Sequence, residues 1–361
     1  MAHVALTAEQ SELVAVIARA VADRAGDDRA LGRHLASMGV VGLRVPEQLG
    51  GAGAGAVEVA LVVEQLARGL AGAGYLGAVL AAELLLAGGR ADDGTPVAPA
   101  VSAICAGRAA GIVLDPQLER LAPVDGERAV AVDAAGGALV VGVDRDGTVG
   151  TGRAGARLDG ADLTRALRRV GPPSELGDSP GAREPGPPPA AVPPAGAIGV
   201  LDPRAAAKWQ ALALALTCAD MVGTMAGALD GAVAHARDRR QFGRPVGSFQ
   251  AVQHLCADQL VSIEAARSIT WHAAWAVDAL EPDEALLTAR VAKAWCAPVG
   301  REVCEAAIQV WGGLGMTWEC DAHRHLRRVL LDRRLFGDER MHLAAVGDRR
   351  LALAAGAGDG S

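Results

Sequence analysis

Arg239-Arg240-Gln241-Phe242-Gly243-Arg244-Pro245-Val246-Gly247-Ser248-Phe249-Gln250 is the stretch whose reading decides this chain. Before it, Ala205 to Asp238 contains no proline and is rich in Ala and Leu, a helical pattern. After it, Val252, Leu255, Cys256, Leu260, Ile263 and Ala266 recur at helix spacing. The stretch between is basic and broken by Gly243-Arg244-Pro245 and Gly247-Ser248, so it connects two helices, with Ser248 expected to cap the second. Several arginines, two glutamines and free backbone N–H groups can hold a phosphate or pyrophosphate. The plainer alternative is a solvated turn between helices.

A second segment, Gln309-Val310-Trp311-Gly312-Gly313-Leu314-Gly315-Met316-Thr317-Trp318-Glu319, follows the helical pattern over 283–309. The first stretch closely resembles the FAD-contacting turn of the acyl-CoA dehydrogenase family, and the second resembles that family's Gln-x-x-Gly-Gly-x-Gly segment. The resemblance implies that both grip the ADP half of an FAD whose flavin lies in a neighbouring subunit. Carried over by motif, the cofactor-binding residues are Arg239, Gln241, Phe242, Gln250, Gln309, Gly312 and Gly313. The chemistry agrees: Arg239 can pair with pyrophosphate, Phe242 can pack on the dinucleotide, and two glycines admit close backbone approach.

At 361 residues the chain can form two or three domains. Only six Trp, three Phe and one Tyr are present, so Ala, Leu and Val must fill the core and let helices pack closely. A net charge of −7 argues against nucleic acid as a partner. Nearly all positive charge is Arg; Lys208 and Lys293 are the only lysines. Cys105, Cys218, Cys256, Cys296, Cys304 and Cys320 form no Cys-x-x-Cys pair and fall mostly in apolar helical patterns, as reduced buried thiols do. Glu9 and Glu12 stand where a signal peptide needs an apolar run, and Glu58, Glu64, Arg68 and Glu83 interrupt Val57 to Leu86, so no membrane span and a cytoplasmic protein are expected.

Taken in order, Thr7-Ala8-Glu9-Gln10 predicts a capping box opening a helix to about Ala25. Further helices are predicted at about Asp27 to Ser37, Val57 to Leu70 and Tyr75 to Ala87, with a turn at Val41 to Gly51 like one in the family. Short runs at Val97 to Val101, Ala109 to Leu114, Ala129 to Val132 and Ala138 to Val143 predict strands. Ala134-Ala135-Gly136-Gly137 and Asp144-Arg145-Asp146-Gly147 read as hairpin turns. Gly171 to Ala197, with Pro187-Pro188-Pro189, reads as a linker. Asp202-Pro203 starts a helix, and helices over 204–238, 249–280, 283–309, 320–335 and 339–354 make a bundle. The expected fold is mostly α with a small β middle domain, acyl-CoA dehydrogenase-like: 1–90 helical, 91–200 β with linker, 201–361 bundle.

The family's chemistry needs a carboxylate base, a held thioester carbonyl and a flavin. Its flavin-covering Thr/Ser-Glu-Pro loop and Trp-Ile/Val-Thr strand have no match here; Arg183-Glu184-Pro185-Gly186 only echoes the loop, and the first Trp is Trp209. Counting from the glycine pair brings the usual Glu base to Phe336, and the alternative helix position to Ala213. Asp220, an acid among the apolar residues Cys218, Ala219, Met221 and Val222, is then the candidate base, with a raised pKa suited to that role; the plainer alternative is a satisfied helix aspartate. His323 and His325 read as surface or interface residues rather than metal ligands, and Arg327-Arg328 and Arg333-Arg334 as a basic face. No metal is expected.

These features imply a subunit of an FAD-dependent acyl-CoA dehydrogenase that serves a paralogous partner's FAD. The resemblance is to the degenerate chain of α2β2 enzymes acting on steroid side-chain or fatty acyl-CoA, with an electron-transfer flavoprotein as a candidate acceptor. Two alternatives stand beside it: a competent homo-oligomer using Asp220, and a flavin-free structural or acyl-CoA-binding paralogue.

Overall fold

A computed structural model describes residues 6–72, 74–89, 97–170 and 196–358. Four helices come first: α1 (Ala8–Asp23), α2 (Asp28–Ser37), α3 (Ala56–Arg68) and α4 (Tyr75–Gly88). The predicted capping box is present, Gln10 N–H donating to Thr7 Oγ1 and Thr7 N–H to Gln10 Oε1, both at 3.1 Å. Asp27 caps α2 in the same manner through Ala30 N–H at 2.8 Å. α3 and α4 are buried almost throughout: α3 lies between α1 and the bundle helices, and α4 between the bundle and the β domain.

Val97 to Val101 is not a strand. It opens a fifth helix, α5 (Val97–Cys105), whose Val97, Ala100, Val101 and Ile104 point into the core at 3–4-residue spacing. A short apolar run does not distinguish strand from buried helix, and here burial at that spacing decided for helix.

The sheet follows: β1 (Ala110–Leu114), β2 (Val130–Val132), β3 (Leu139–Val143), β4 (Thr148–Arg157), β5 (Leu167–Val170) and β6 (Gly196–Val200). Its order is β3-β1-β2-β5-β4-β6, and β4 also pairs with β3, so the first five strands close into a small barrel with β6 added beside β4. Asp144 to Gly147 is the expected hairpin between β3 and β4. Ala134 to Gly137 is not a hairpin: β1 inserts between β2 and β3, and the chain must cross over it. The linker expected at 171–197, with Arg183 to Gly186, lies outside the described residues as far as 195; its last two residues begin β6.

α6 (Pro203–Asp238), α7 (Gln250–Ala279), α8 (Pro282–Trp311), α9 (Ala322–Arg334) and α10 (Glu339–Gly358) form the bundle. Asp202 caps α6 through Ala205 N–H at 2.8 Å, with Pro203 in the first turn. α6 is the axis of the molecule. It is long and apolar enough to cross a membrane, but 94% of its most apolar window is buried by neighbouring helices. Gly223 lets α3 come close: a Cβ there would stand 2.1 Å from Glu64 O. The cysteines are free, and all but the half-buried Cys256 are buried. The architecture is thus helical, then β, then helical.

Candidate functional site

The signature turn is more ordered than a loop. β7 (Arg240–Gln241) and β8 (Arg244–Pro245) form a two-residue hairpin. Phe242 and Gly243 sit at its tip with φ of +52° and +78°, as a type I′ turn requires. Glycine adopts this freely; phenylalanine does not, so the hairpin holds Phe242 in a costly conformation and presents its ring to solvent, 91% exposed. Arg244 lies over the Phe249 ring at 4.0 Å, and Phe242 meets that ring edge-on. Arg239, Gln241 and Gln250 are exposed, and Arg239 has no carboxylate partner among the described residues. Ser248 is not the cap of α7: its hydroxyl donates back to Pro245 O at 2.7 Å, and Phe249 occupies the cap position without a side-chain bond.

The second segment lies at the same end of the bundle. Trp311, the last residue of α8, stacks on His235 of α6 with centroids 4.2 Å apart, and Arg239 N–H bonds His235 O. That stack, between residues 76 positions apart in sequence, brings the two motifs to the same end of the bundle. Gln309 is exposed, and Gly312 turns the chain with φ +63°. A Cβ on Gly312 or Gly313 would meet nothing within 4 Å, so both face open space.

The positions counted for a base are closed. Ala213 is fully buried. Phe336 is 3% exposed, its ring edge-on to Trp209 at 5.9 Å. Its N–H donates to Leu118 O at 2.7 Å, fastening the β1–β2 connection of the barrel over it. Its carbonyl accepts from His342 Nε2 at 3.0 Å. Trp209, Ala213 and Phe336 line none of the four best-formed cavities among the described residues. The widest, about 530 Å³, separates α2 and α4 from the barrel.

Asp220 corrects the expectation of a raised pKa. Both of its oxygens accept from Arg328, Oδ1 from Nε and Oδ2 from Nη2, each at 2.7 Å. Burial alone would push its pKa up; Arg328, with Arg165 behind it, brings it down to about 2. A carboxylate so clamped is a poor proton acceptor. Arg328 is therefore no part of a basic face, being 2% exposed, and Arg333 is tied to Glu339. His325 is not a surface residue either, since its Nδ1 lies 3.0 Å from Asp321 O within the same helix turn and the ring is 7% exposed.

Comparison with known proteins agrees with this architecture. The N-terminal domain of acyl-CoA dehydrogenases matches residues 7–94, and the C-terminal domain of acyl-CoA dehydrogenases matches residues 211–351. Acyl-CoA dehydrogenase IpdE2 of Mycobacterium tuberculosis is 32% identical over 327 residues, covering 90% of this chain and 87% of that protein. The chain belongs to the acyl-CoA dehydrogenase family.

Among solved structures, a Tcur3481–Tcur3483 steroid acyl-CoA dehydrogenase variant superposes with a TM-score of 0.74 at 25% identity, covering 96% of this chain and 99% of that one. The ChsE4–ChsE5 complex of Mycobacterium tuberculosis shares the fold, with a TM-score of 0.74 at 24% identity, covering 96% and 98%. Acyl-CoA dehydrogenases are oxidoreductases that act on a CH–CH bond of an acyl-CoA and use FAD. In this acyl-CoA dehydrogenase, the open glycine pair, the exposed Phe242 ring and the unpaired Arg239 suit the anionic and aromatic parts of an FAD.

Sequence reasoning missed His235 and Trp311, whose pairing is visible only in three dimensions. It also missed Lys293, buried completely, whose ammonium donates to the carbonyls of Asp332, Leu335 and Gly337 at 2.7, 2.6 and 3.1 Å.

Proposed function

We propose that this chain is the non-catalytic subunit of a heteromeric acyl-CoA dehydrogenase, and that it holds the ADP half of an FAD seated in a paralogous partner. The observation that carries this reading is a contrast within one molecule: the Arg239–Gln250 hairpin stands open while the base position, Phe336, is sealed under Leu118 and against Trp209. Arg239 pairs with the pyrophosphate, Phe242 packs on the dinucleotide, and Gln241, Gln250 and Gln309 supply amides. Gly312 and Gly313 let the cofactor approach the backbone. Bound FAD supplies the hydride acceptor, and the partner supplies the flavin pocket and the base. Met316 and Trp318, 75% and 68% exposed beside the glycine pair, suit a face covered by that partner.

The ChsE4–ChsE5 complex supports a two-chain assembly, and the steroid neighbour supports the CoA thioester of a steroid side chain as substrate ahead of a simple fatty acyl. The Asp220-dependent homo-oligomer is disfavoured by the Arg328 clamp. The test is flavin absorbance against protein concentration for the chain alone and co-purified with a paralogous subunit. Alone it should be colourless; together, a single FAD should accompany each pair of chains. An FAD in every chain refutes the proposal, and none in either preparation supports the flavin-free alternative.

A further inference from the structure

The last two turns of α6 carry both cofactor motifs. Arg239 follows α6 directly, and the hairpin after it folds back on the helix: Val246 N–H donates to Arg239 O at 2.8 Å. A Cβ on Gly247 would stand 2.9 Å from Ala236 O, so the absence of a side chain lets this return lie close against α6. Gln253 of α7 holds it there, Nε2 donating to Gly247 O at 3.0 Å. One residue before Ala236, the His235 ring stacks on Trp311 with centroids 4.2 Å and planes 21° apart. A Cβ on Gly231, one turn earlier, would meet Trp311 Cζ2 at 3.8 Å, so the indole lies along α6. Trp311 ends α8 and is followed at once by Gly312 and Gly313.

We propose that His235 and Trp311 are positioning residues of the FAD grip: their stack fixes the separation between Arg239 and the Gly312-Gly313 pair, and neither ring has to touch the cofactor. The proposal rests on the reading of this chain as the ADP-holding subunit. The ADP half of an FAD must meet both motifs at once, and any freedom between them has to be lost on binding, at the expense of affinity. Among the described residues no hydrogen bond or ion pair joins residues 239–250 to residues 309–319. Beneath the stack the seam of α6 and α8 is packed from small side chains, Ala228, Ala232, Cys304 and Ala307. The stack stands at the open end of that seam, where both chains leave their helices and where helices fray first. Two flat, stiff rings in contact hold such ends at one spacing.

The test takes the complex co-purified with the paralogous subunit and measures FAD retention by dialysis and absorbance. His235→Phe keeps a flat ring against the indole and should retain FAD like the wild type. His235→Leu and Trp311→Leu keep apolar bulk without the stack, and each should weaken retention by roughly three- to tenfold. The double leucine variant should lose no more than either single one, because one contact is removed in each case. The chain alone should melt alike with Phe or Leu at position 235, so the loss of FAD is not a loss of fold. Wild-type retention in His235→Leu, equal loss in His235→Phe and His235→Leu, or additive losses in the double variant each overturns the proposal. His235→Gln replaces His235→Leu, with the same outcomes, if the latter does not assemble. A wild-type complex without FAD overturns the ADP-holding reading and this proposal with it; a complex that keeps FAD equally in every variant overturns only the role of the two rings.

Discussion

The carboxylate of Asp220 and the guanidinium of Arg328 are joined by two parallel hydrogen bonds of 2.7 Å, both residues 2% exposed, across 108 positions of sequence. This pair makes Asp220 a fixed anion of the core. Removing one partner strands the other charge where water cannot replace it, at a cost of about 3–5 kcal/mol. Asp220→Ala should therefore lower the melting temperature sharply, while any folded complex carrying it keeps its rate of flavin reduction. The folded pKa near 2 lies below the ordinary carboxylate value, so the pair's contribution is present at neutral pH and lost as pH falls from about 4 to about 2. Melting curves across that range, wild type against variant, check both statements.

The hairpin predicts a separation of affinity from stability. A charge-assisted contact to pyrophosphate is worth roughly 1.5–3 kcal/mol, so Arg239→Ala should weaken FAD retention in the assembled complex by about one to two decades. Arg324→Ala, at an exposed residue paired locally with Asp321, should leave retention unchanged. Both variants should melt like the wild type. Equal loss of FAD from the two, measured by dialysis and absorbance, would remove the assignment of Arg239.

Phe336 predicts that the lost base cannot simply be restored. Phe336→Glu places a carboxyl against Trp209 and beneath Leu118, at a position only 3% exposed. The expected outcome is a destabilised chain with no dehydrogenase activity of its own. Turnover of an acyl-CoA by F336E alone would show that the crevice opens in solution.

His342 sets a second acid limit. Its ring is 1% exposed, Nε2 donates to Phe336 O, and burial with Lys293 and Arg290 nearby brings its pKa down to about 4. The unfolded chain binds a proton near the ordinary value of 6.5 and the folded chain does not. Stability should fall as pH drops from about 6.5 to about 4, and His342→Leu should remove that slope. The slope of melting temperature against pH is the measurement.

Lys293 predicts that arginine is not a substitute. Its ammonium donates from one point to several carbonyls at the end of α9, a geometry that a planar, fork-shaped guanidinium does not reproduce. Lys293→Arg and Lys293→Met should both destabilise, the latter by leaving several buried carbonyls without a donor, about 1–3 kcal/mol for each so stranded. Chemical denaturation of the two variants tests this.

The sequence alone determined what local physics governs. Thr7 and Gln10 spell a capping box, Asp202-Pro203 a helix start, and the apolar spacing of 204–238 a helix, because each depends on residues within a few positions. The two motifs were legible because their residue types and spacing are distinctive. Tertiary structure decided the rest. Val97 to Val101 became helix through its burial among α4 and the turns before α3, and Ala134 to Gly137 lost its hairpin to β1, whose insertion no local signal announces. The role of Asp220 was decided by a partner 108 residues away. Whether a buried acid is a base or half of an ion pair depends on what faces it, and sequence spacing carries no information about a contact made only when separate helices pack.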